Sequence, residues 1–307
     1  MISFVIPVYN EEESIDELYN RIISITKKEN YISEFIFIDD GSSDNSANTI
    51  KNLHLINKDV HLIAFRKNFG KAAALQAGFR NCSGDIIITM DADLQDDPQE
   101  IPNFVSKIYE GYDLVSGWKY NRLDPMEKRL PSKLFNKVTS LLSGVKLHDF
   151  NCGFKAYRKE VVKNIDVYGE MHRYIPVLAY RKGFKITEIK VNHHKREFGK
   201  SKYGFERYLR GLFDSVTVSF LSKYYDRPMY FFGRIGLGSF LIGFLICLLL
   251  TVEWFLGYTI GSRPLLILGV LLIILGIQFI SIGLIGDMLV DATYSKRYDE
   301  SHIKEKL

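Results

Sequence analysis

The chain has 307 residues, enough for one large domain and an appendage. Its formal net charge of +4, from 40 basic against 36 acidic residues, is too balanced for a strongly basic nucleic-acid binder, and no aromatic-basic platform is present. Three scattered cysteines, Cys82, Cys152 and Cys247, lack metal-ligand spacing and point to free thiols rather than a disulfide scaffold.

Met1 leads at once into an apolar run with no basic segment before it, so no secretory signal is expected. From there to about residue 200, short apolar runs alternate with amphipathic stretches, which predicts a doubly wound α/β sheet. Strands are expected over residues 3–9, 34–40, 61–66, 85–91 and 113–118, with helices over 12–27, 44–55, 71–81 and 98–110. In open sheets of this class, ligands sit beyond the carboxyl ends of the strands. Tyr9, Asn10 and Glu11 follow the first strand, Asp39 and Asp40 end the second, Arg66 and Lys71 follow the third, and Asp91 and Asp93 end the fourth. All of these converge on one edge of the sheet.

In the stretch ITMDADLQDDP, Asp91, Asp93, Asp96 and Asp97 fall within seven residues. Asp97, with Pro98 next and Glu100 three residues on, is a helix-start signature, and Asp96 is expected to share that exposed turn. Asp91 and Asp93 differ, because Asp-x-Asp at the end of a buried strand sends two carboxylates to one place. Together with the amide oxygen of Gln95, as third ligand or outer-sphere partner, they suit Mg²⁺ or Mn²⁺, completed by a diphosphate. His148, His193 and His194 have no ligand-like spacing and are read as non-metal residues.

Toward the carboxyl end the composition changes. Residues 203–226 carry apolar side chains at helical spacing with charges between them, as expected of a helix lying in a membrane interface or packed on the preceding domain. Runs 235–252 and 264–286 hold no acidic or basic residue and reach spanning length, so a transmembrane hairpin is expected. Lys223, Arg227 and Arg234 precede it and Lys296, Arg297, Lys304 and Lys306 follow it, whereas the connection offers only Arg263; both termini are therefore expected in the cytoplasm, beneath a plasma membrane. A basic cluster before the spans, including Lys128, Arg129, Lys133 and Lys195, suits anionic head groups or a lipid phosphate.

The motifs PVYNE (7–11), DDGSSD (39–44), RKNFGKAAALQAG (66–78), DADLQDDP (91–98) and REFGKSKYG (196–204), in this order, resemble those of family 2 glycosyltransferases with the GT-A fold. More closely, the chain resembles the polyprenyl-phosphate glycosyltransferases. The resemblance implies a Rossmann-like, mixed-sheet catalytic domain over 1–202, an amphipathic interface region over 203–228, two transmembrane helices over 229–290 and a cytoplasmic tail over 291–307. It implies inverting transfer of one hexose, glucose or N-acetylglucosamine, from a nucleotide diphosphate sugar, UDP-linked by preference, to undecaprenyl phosphate. A GDP-mannose-dependent synthase is the alternative, and a non-catalytic membrane scaffold or sugar-nucleotide sensor is the reading from another class. Assembly into homo-oligomers is also implied.

Position by position, the resemblance assigns Pro7, Tyr9 and Glu11 to the nucleotide pocket, together with Lys71 and with Asp39 or Asp40 on the base or ribose. Asp91, Ala92, Asp93 and Gln95 form the metal and diphosphate segment. Arg196 and Lys202 belong to a basic loop over the diphosphate, and Arg129 and Ser132 to the lipid-phosphate site. Asp149 stands near the reacting centre, where it either orients the acceptor or accepts a proton, or else caps a turn or pairs with Lys155 or Arg158.

Overall fold

The structure is a computed structural model, described for residues 1–120, 136, 139–140, 143–169, 171–194, 220, 224, 227–259 and 263–294. It divides into two units, Met1–Ser219 and Phe220–Leu307. That division falls within the predicted interface region 203–228, nearly all of which lies outside the described residues.

The first unit is built on seven strands: β1 (Ile2–Val8), β2 (Ser33–Asp39), β3 (Val60–Ala64), β4 (Ile86–Thr89), β5 (Leu114–Lys119), β6 (Lys155–Arg158) and β7 (Ile186–Val191). Their order is β3-β2-β1-β4-β6-β5-β7. All neighbouring pairs are parallel except those of β6, which is antiparallel to both β4 and β5. The mixed α/β sheet is therefore as expected, with β6 and β7 as additions. β6 is only four residues long and carries two cations, so neither length nor alternation marks it as a strand. Tertiary packing makes it one, because it fills the gap between β4 and β5.

Helices α1 (Ile15–Lys28), α2 (Ser46–Ile56), α3 (Lys71–Asn81) and α4 (Ile101–Tyr109) cover the sheet, with short helices α5 (Lys159–Asn164) and α6 (Ile175–Arg181) further on. α1 starts three residues later than predicted, since residues 12–14 form a turn. The predicted start at Pro98 is a short 3₁₀ turn, Pro98–Glu100, in which Asp97 accepts from Gln99 N at 3.0 Å as its capping role requires. α3 seats closely on β1 because Gly78 is there: a Cβ at this position would come within 2.3 Å of Val5 Cγ1. The core lies between these layers, with Phe4, Phe35, Phe37, Phe104 and Phe154 fully buried.

The second unit contains α7 (Met229–Phe255) and α8 (Pro264–Tyr294), two helices long and apolar enough to cross a membrane. They pack through glycines: a Cβ on Gly236 would come within 2.7 Å of Gly276 O, and one on Gly243 within 2.6 Å of Gly269 O. Where no water drives apolar association, such close backbone approach supplies the packing. Glu253 and Arg263 pair at the turn end of the hairpin.

At the amino-terminal edge of the sheet a buried carboxylate ties three strands. Glu34 accepts from Ser3 Oγ at 2.5 Å, from Ser83 N and Oγ at 2.7 Å each, and from Gly84 N at 3.3 Å. Burial opposes ionisation, yet the serine and backbone donors outweigh it and hold the carboxyl below the usual glutamate range. A depressed folded-state pKa stabilises above the unfolded value of about 4.3 and is lost as pH falls through the folded value. Glu34→Ala is expected to reduce stability by about 1–3 kcal/mol at neutral pH. Thermal unfolding over a pH series should show the gap to wild type narrowing on acidification.

Candidate active site

Because β1, β2, β3 and β4 are parallel, their carboxyl ends share one edge, and the predicted polar residues meet there. The loops after β1 and β2 are laced together. Asn10, in the left-handed region at φ 52, accepts at Oδ1 from Ser43 N at 2.7 Å and donates its own N–H to Ser42 Oγ at 2.9 Å. Glu11 N donates to Ser46 Oγ at 3.0 Å. Asp39 accepts from Ser42 N at 3.0 Å. Asp40 takes Phe69 N at 2.7 Å and Gly70 N at 2.9 Å on its two oxygens, bracing the entry to α3. Burial raises its pKa against those two donors. Of the candidate pair for the base or ribose, Asp40 thus has both oxygens engaged by backbone, and Asp39 has one. Pro7 lies within β1 and Tyr9 is exposed just beyond it.

The fourth strand ends at Thr89, two residues before Asp91, so Asp91 leaves the sheet on a loop. Leu94 in that loop has φ 58 and is fully buried in the core, a conformation that costs about 1–3 kcal/mol and that its burial offsets. Ala92 is buried too. Asp91 is contacted by the Lys71 ammonium from the first turn of α3. Burial disfavours its charge, but Lys71 and Lys119 outweigh burial and hold its carboxyl at about 2. Gly153 lies against it: a Cβ there would sit 2.6 Å from Asp91 Oδ2. Any larger residue would displace the carboxylate.

Asp96 corrects the expectation of an exposed turn. It is 1% exposed, with Oδ1 3.0 Å from Lys119 Nζ. Lys119, at the end of β5, is largely buried; burial opposes its charge and Asp96 more than restores it. The acidic stretch thus holds three devices: an ionised Asp91 with Asp93 close by, a buried tether through Asp96, and a cap at Asp97. Asp93 accepts from Gln95 N at 3.3 Å, and Gln95 Nε2 donates to His194 O at 3.4 Å, leaving the amide oxygen as an acceptor.

Among the described residues no three His, Cys, Asp or Glu side chains are grouped to hold a metal. The donor set nonetheless fits a hard divalent cation that binds through one or two carboxylates and substrate oxygens, since Asp91 is ionised and Asp93 follows it two residues on.

Asp149 is buried and caps its own turn, accepting from Asn151 N at 3.0 Å. Lys155 lies close enough to feel its charge, whereas Arg158 pairs with Asp113 at 3.5 Å instead. Lys155 is buried at the start of β6, donating to Phe150 O at 3.3 Å and to Cys152 O, and burial lowers its pKa. Burial also pushes the Cys152 thiol up to about 12, so it is inert. His172, in the 3₁₀ turn Met171–Tyr174, is kept neutral first by burial and then by Lys71, Arg173 and Lys155.

The segment after β7 crosses to the acidic loop. His193 bridges Asp96, His194 N donates to Gln95 O at 2.9 Å, and Asn192 Nδ2 donates to Glu100 Oε1 at 3.1 Å. The chain therefore enters the predicted basic loop from beside Gln95. Arg196 and Lys202 in that loop, and Arg129 and Ser132, lie outside the described residues. Sequence reasoning missed Lys119 and His172, and named Lys155 only as a possible partner of Asp149. Lys119 was within reach of the strand-end rule, being the last residue of β5; His172 carries no local signal.

Parallel strand ends, an ionised Asp91 followed by Asp93 and a lysine at the mouth of a helix match the arrangement expected of a GT-A glycosyltransferase, and the comparisons with known proteins show that class. Residues 3–166 match the model of Glycosyl transferase family 2, and the chain belongs to that family. It is similar over its whole length, at 37% identity and with 92% of the relative covered, to a dodecaprenyl-phosphate galacturonate synthase of Rhizobium johnstonii. It is 39% identical over 94% of its length, and 86% of the relative, to an undecaprenyl-phosphate 4-deoxy-4-formamido-L-arabinose transferase of Shewanella sediminis. Among solved structures, glucosyl-3-phosphoglycerate synthase of Mycobacterium tuberculosis, in complex with Mn²⁺, UDP and phosphoglyceric acid, shares the fold with a TM-score of 0.55 at 18% identity, over 72% of this chain and 78% of that one. Mannosyl-3-phosphoglycerate synthase of Rubrobacter xylanophilus does so with a TM-score of 0.55 at 15% identity, over 72% and 74%.

Removing one partner of a buried ion pair strands the other. Lys119→Met is expected to cost about 3–5 kcal/mol, and the double variant Lys119→Met, Asp96→Leu to recover part of that. Chemical unfolding of the single and double variants measures the coupling.

Proposed function

We propose that this glycosyltransferase moves one sugar from a nucleotide diphosphate sugar to a polyprenyl phosphate at a membrane surface, with its catalytic unit in the cytoplasm. The observation that carries the reading is the ionised Asp91, with Lys71 against it and Asp93 nearby, at the shared carboxyl edge of β1–β4. Two apolar helices in the same chain support an acceptor that resides in the bilayer. The relatives named above, which act on prenyl phosphates, support the same acceptor class. A UDP-linked hexose is the donor we propose, glucose or N-acetylglucosamine first, with GDP-mannose as the alternative.

In this reading the nucleotide lies over the loops after β1 and β2, with Pro7, Tyr9, Glu11 and Asp39 around it. Asp91, Asp93 and Gln95 would hold Mg²⁺ or Mn²⁺, which neutralises charge on the diphosphate. A phosphate oxygen of the acceptor attacks the anomeric carbon as the bond from that carbon to the diphosphate oxygen breaks, and the electron pair leaves with the nucleoside diphosphate. Lys71, and Arg196 and Lys202 from the loop entered beside Gln95, stabilise that developing charge. A phosphate monoester, with a second pKa of about 6, is already largely dianionic at neutral pH and needs no strong base. Asp149, engaged with Asn151 N and close to Lys155, therefore serves to orient and to support the turn.

Membranes containing the full chain, given undecaprenyl phosphate and labelled donors, test the proposal. UDP-linked glucose, N-acetylglucosamine, galacturonate and 4-deoxy-4-formamido-L-arabinose, and GDP-mannose, form the panel, with mass analysis of the glycolipid. One donor is expected to yield a lipid monosaccharide. No product from any nucleotide sugar overturns the reading. Asp93→Ala and chelation are each expected to lower turnover by about 10²-fold or more, and unchanged turnover removes the metal assignment. Arg196→Ala and Lys202→Ala should each slow transfer by about 10²–10³-fold; wild-type kinetics in both takes that loop out of the mechanism.

A further inference from the structure

Lys155 is buried, 3% exposed, at the first position of β6. Its Nζ turns back onto the main chain just before the strand, donating to Phe150 O at 3.3 Å and to Cys152 O. Burial works against that charge, and an apolar side chain would occupy the position with less desolvation. What the lysine supplies is therefore the conformation of the turn over residues 149–153.

That turn is held from several sides. Asp149 accepts from Asn151 N at 3.0 Å, Phe150 N donates to Asn136 Oδ1 at 3.4 Å, and Thr89 Oγ1, from the last residue of β4, donates to Gly153 O at 2.7 Å. It ends on the metal candidate: a Cβ on Gly153 would lie 2.6 Å from Oδ2 and 2.7 Å from Oδ1 of Asp91. The backbone at residue 153 thus stands over both oxygens of the carboxylate. Cys152 O belongs to the peptide group that joins Cys152 to Gly153, so Lys155 grips the chain at the point where it meets Asp91. Moved inward, this peptide would press on the carboxylate; moved outward, it would let the carboxylate rotate.

We propose that Lys155 is a positioning residue for the divalent cation: it fixes the 149–153 turn so that Gly153 holds the Asp91 carboxylate in the orientation that receives the metal. The inference rests on the reading of Asp91 as a metal ligand, and it adds the residue that orients that ligand without touching the metal. Removing a group that orients a metal ligand from behind typically costs about 10–100-fold in metal affinity.

Calorimetric titration of UDP into the full-length protein in detergent, with saturating Mn²⁺ and with chelator, tests this, GDP being used where the wild type prefers it. Lys155→Met is expected to lower affinity in Mn²⁺ by about tenfold and to leave affinity in chelator unchanged, whereas general damage to the fold would lower both. Gly153→Ala is expected to act in the same way. The double variant is expected to stay within about threefold of Gly153→Ala alone, because both changes act through one peptide. Lys155→Gln, which keeps a donor, carries the test where the Met variant does not fold, with an expected loss of about threefold confined to Mn²⁺. Equal losses with and without metal, wild-type affinity in whichever Lys155 variant folds, or losses that multiply in the double variant overturn the proposal. A wild type that binds UDP and GDP no more tightly in Mn²⁺ than in chelator would instead defeat the metal assignment itself.

Discussion

The site depends on keeping Asp91 charged in a place that would ordinarily neutralise it. A half-buried carboxylate just beyond a buried strand loses part of its hydration, which favours taking up a proton. Here Lys71 touches it and Lys119 acts from beneath, and the carboxyl titrates at about 2 instead. That balance sets requirements on distant parts of the chain. α3 must begin where it does, β5 must end in a lysine, Asp96 must turn inward to hold that lysine, and residue 153 must lack a side chain. In the proposed function this ionised carboxylate would hold a cation, and through the cation a diphosphate, and its charge exists only because three elements supply positive charge and space together.

The edge that the proposal gives to the nucleotide is built on another plan. There the carboxylates and serines are spent on backbone: Asp39 on Ser42, Asp40 on Phe69 and Gly70, Asn10 on Ser43, Ser46 on Glu11. The Asp39 bond folds its own loop, and the others tie one βα loop to its neighbour, so the loops behave as a braced rim. Preorganisation of this kind lowers the ordering cost of binding. It also means that an acidic residue at a strand end need not face the ligand, and Asp40 is the clear instance.

The two units answer to different solvents. The first buries aromatic and aliphatic side chains from both faces of a sheet; the second exposes apolar side chains along two long helices and brings them together through glycines. The proposed acceptor, with a phosphate head and a polyprenyl tail, needs both surroundings, which in that reading is the physical sense in combining these units in one chain.

Periodicity and strand-end polarity were enough to predict five strands, four helices, the α/β class, the converging polar edge and two long apolar helices, because each is a property of short segments. Asp97 was legible for the same reason, since capping involves only the next three residues. What tertiary structure alone decided is how charges far apart in the chain share one interior. Asp96 reads as a surface aspartate until β5 brings Lys119 beneath it; Lys155 reads only as a possible partner of Asp149 until β6 slots between β4 and β5 and buries it; His172 has no signal until its turn docks on α3. Local pattern records what a residue prefers, but burial and the field of distant charges are set only when the chain closes on itself, and those two quantities fix what each ionisable group here can do.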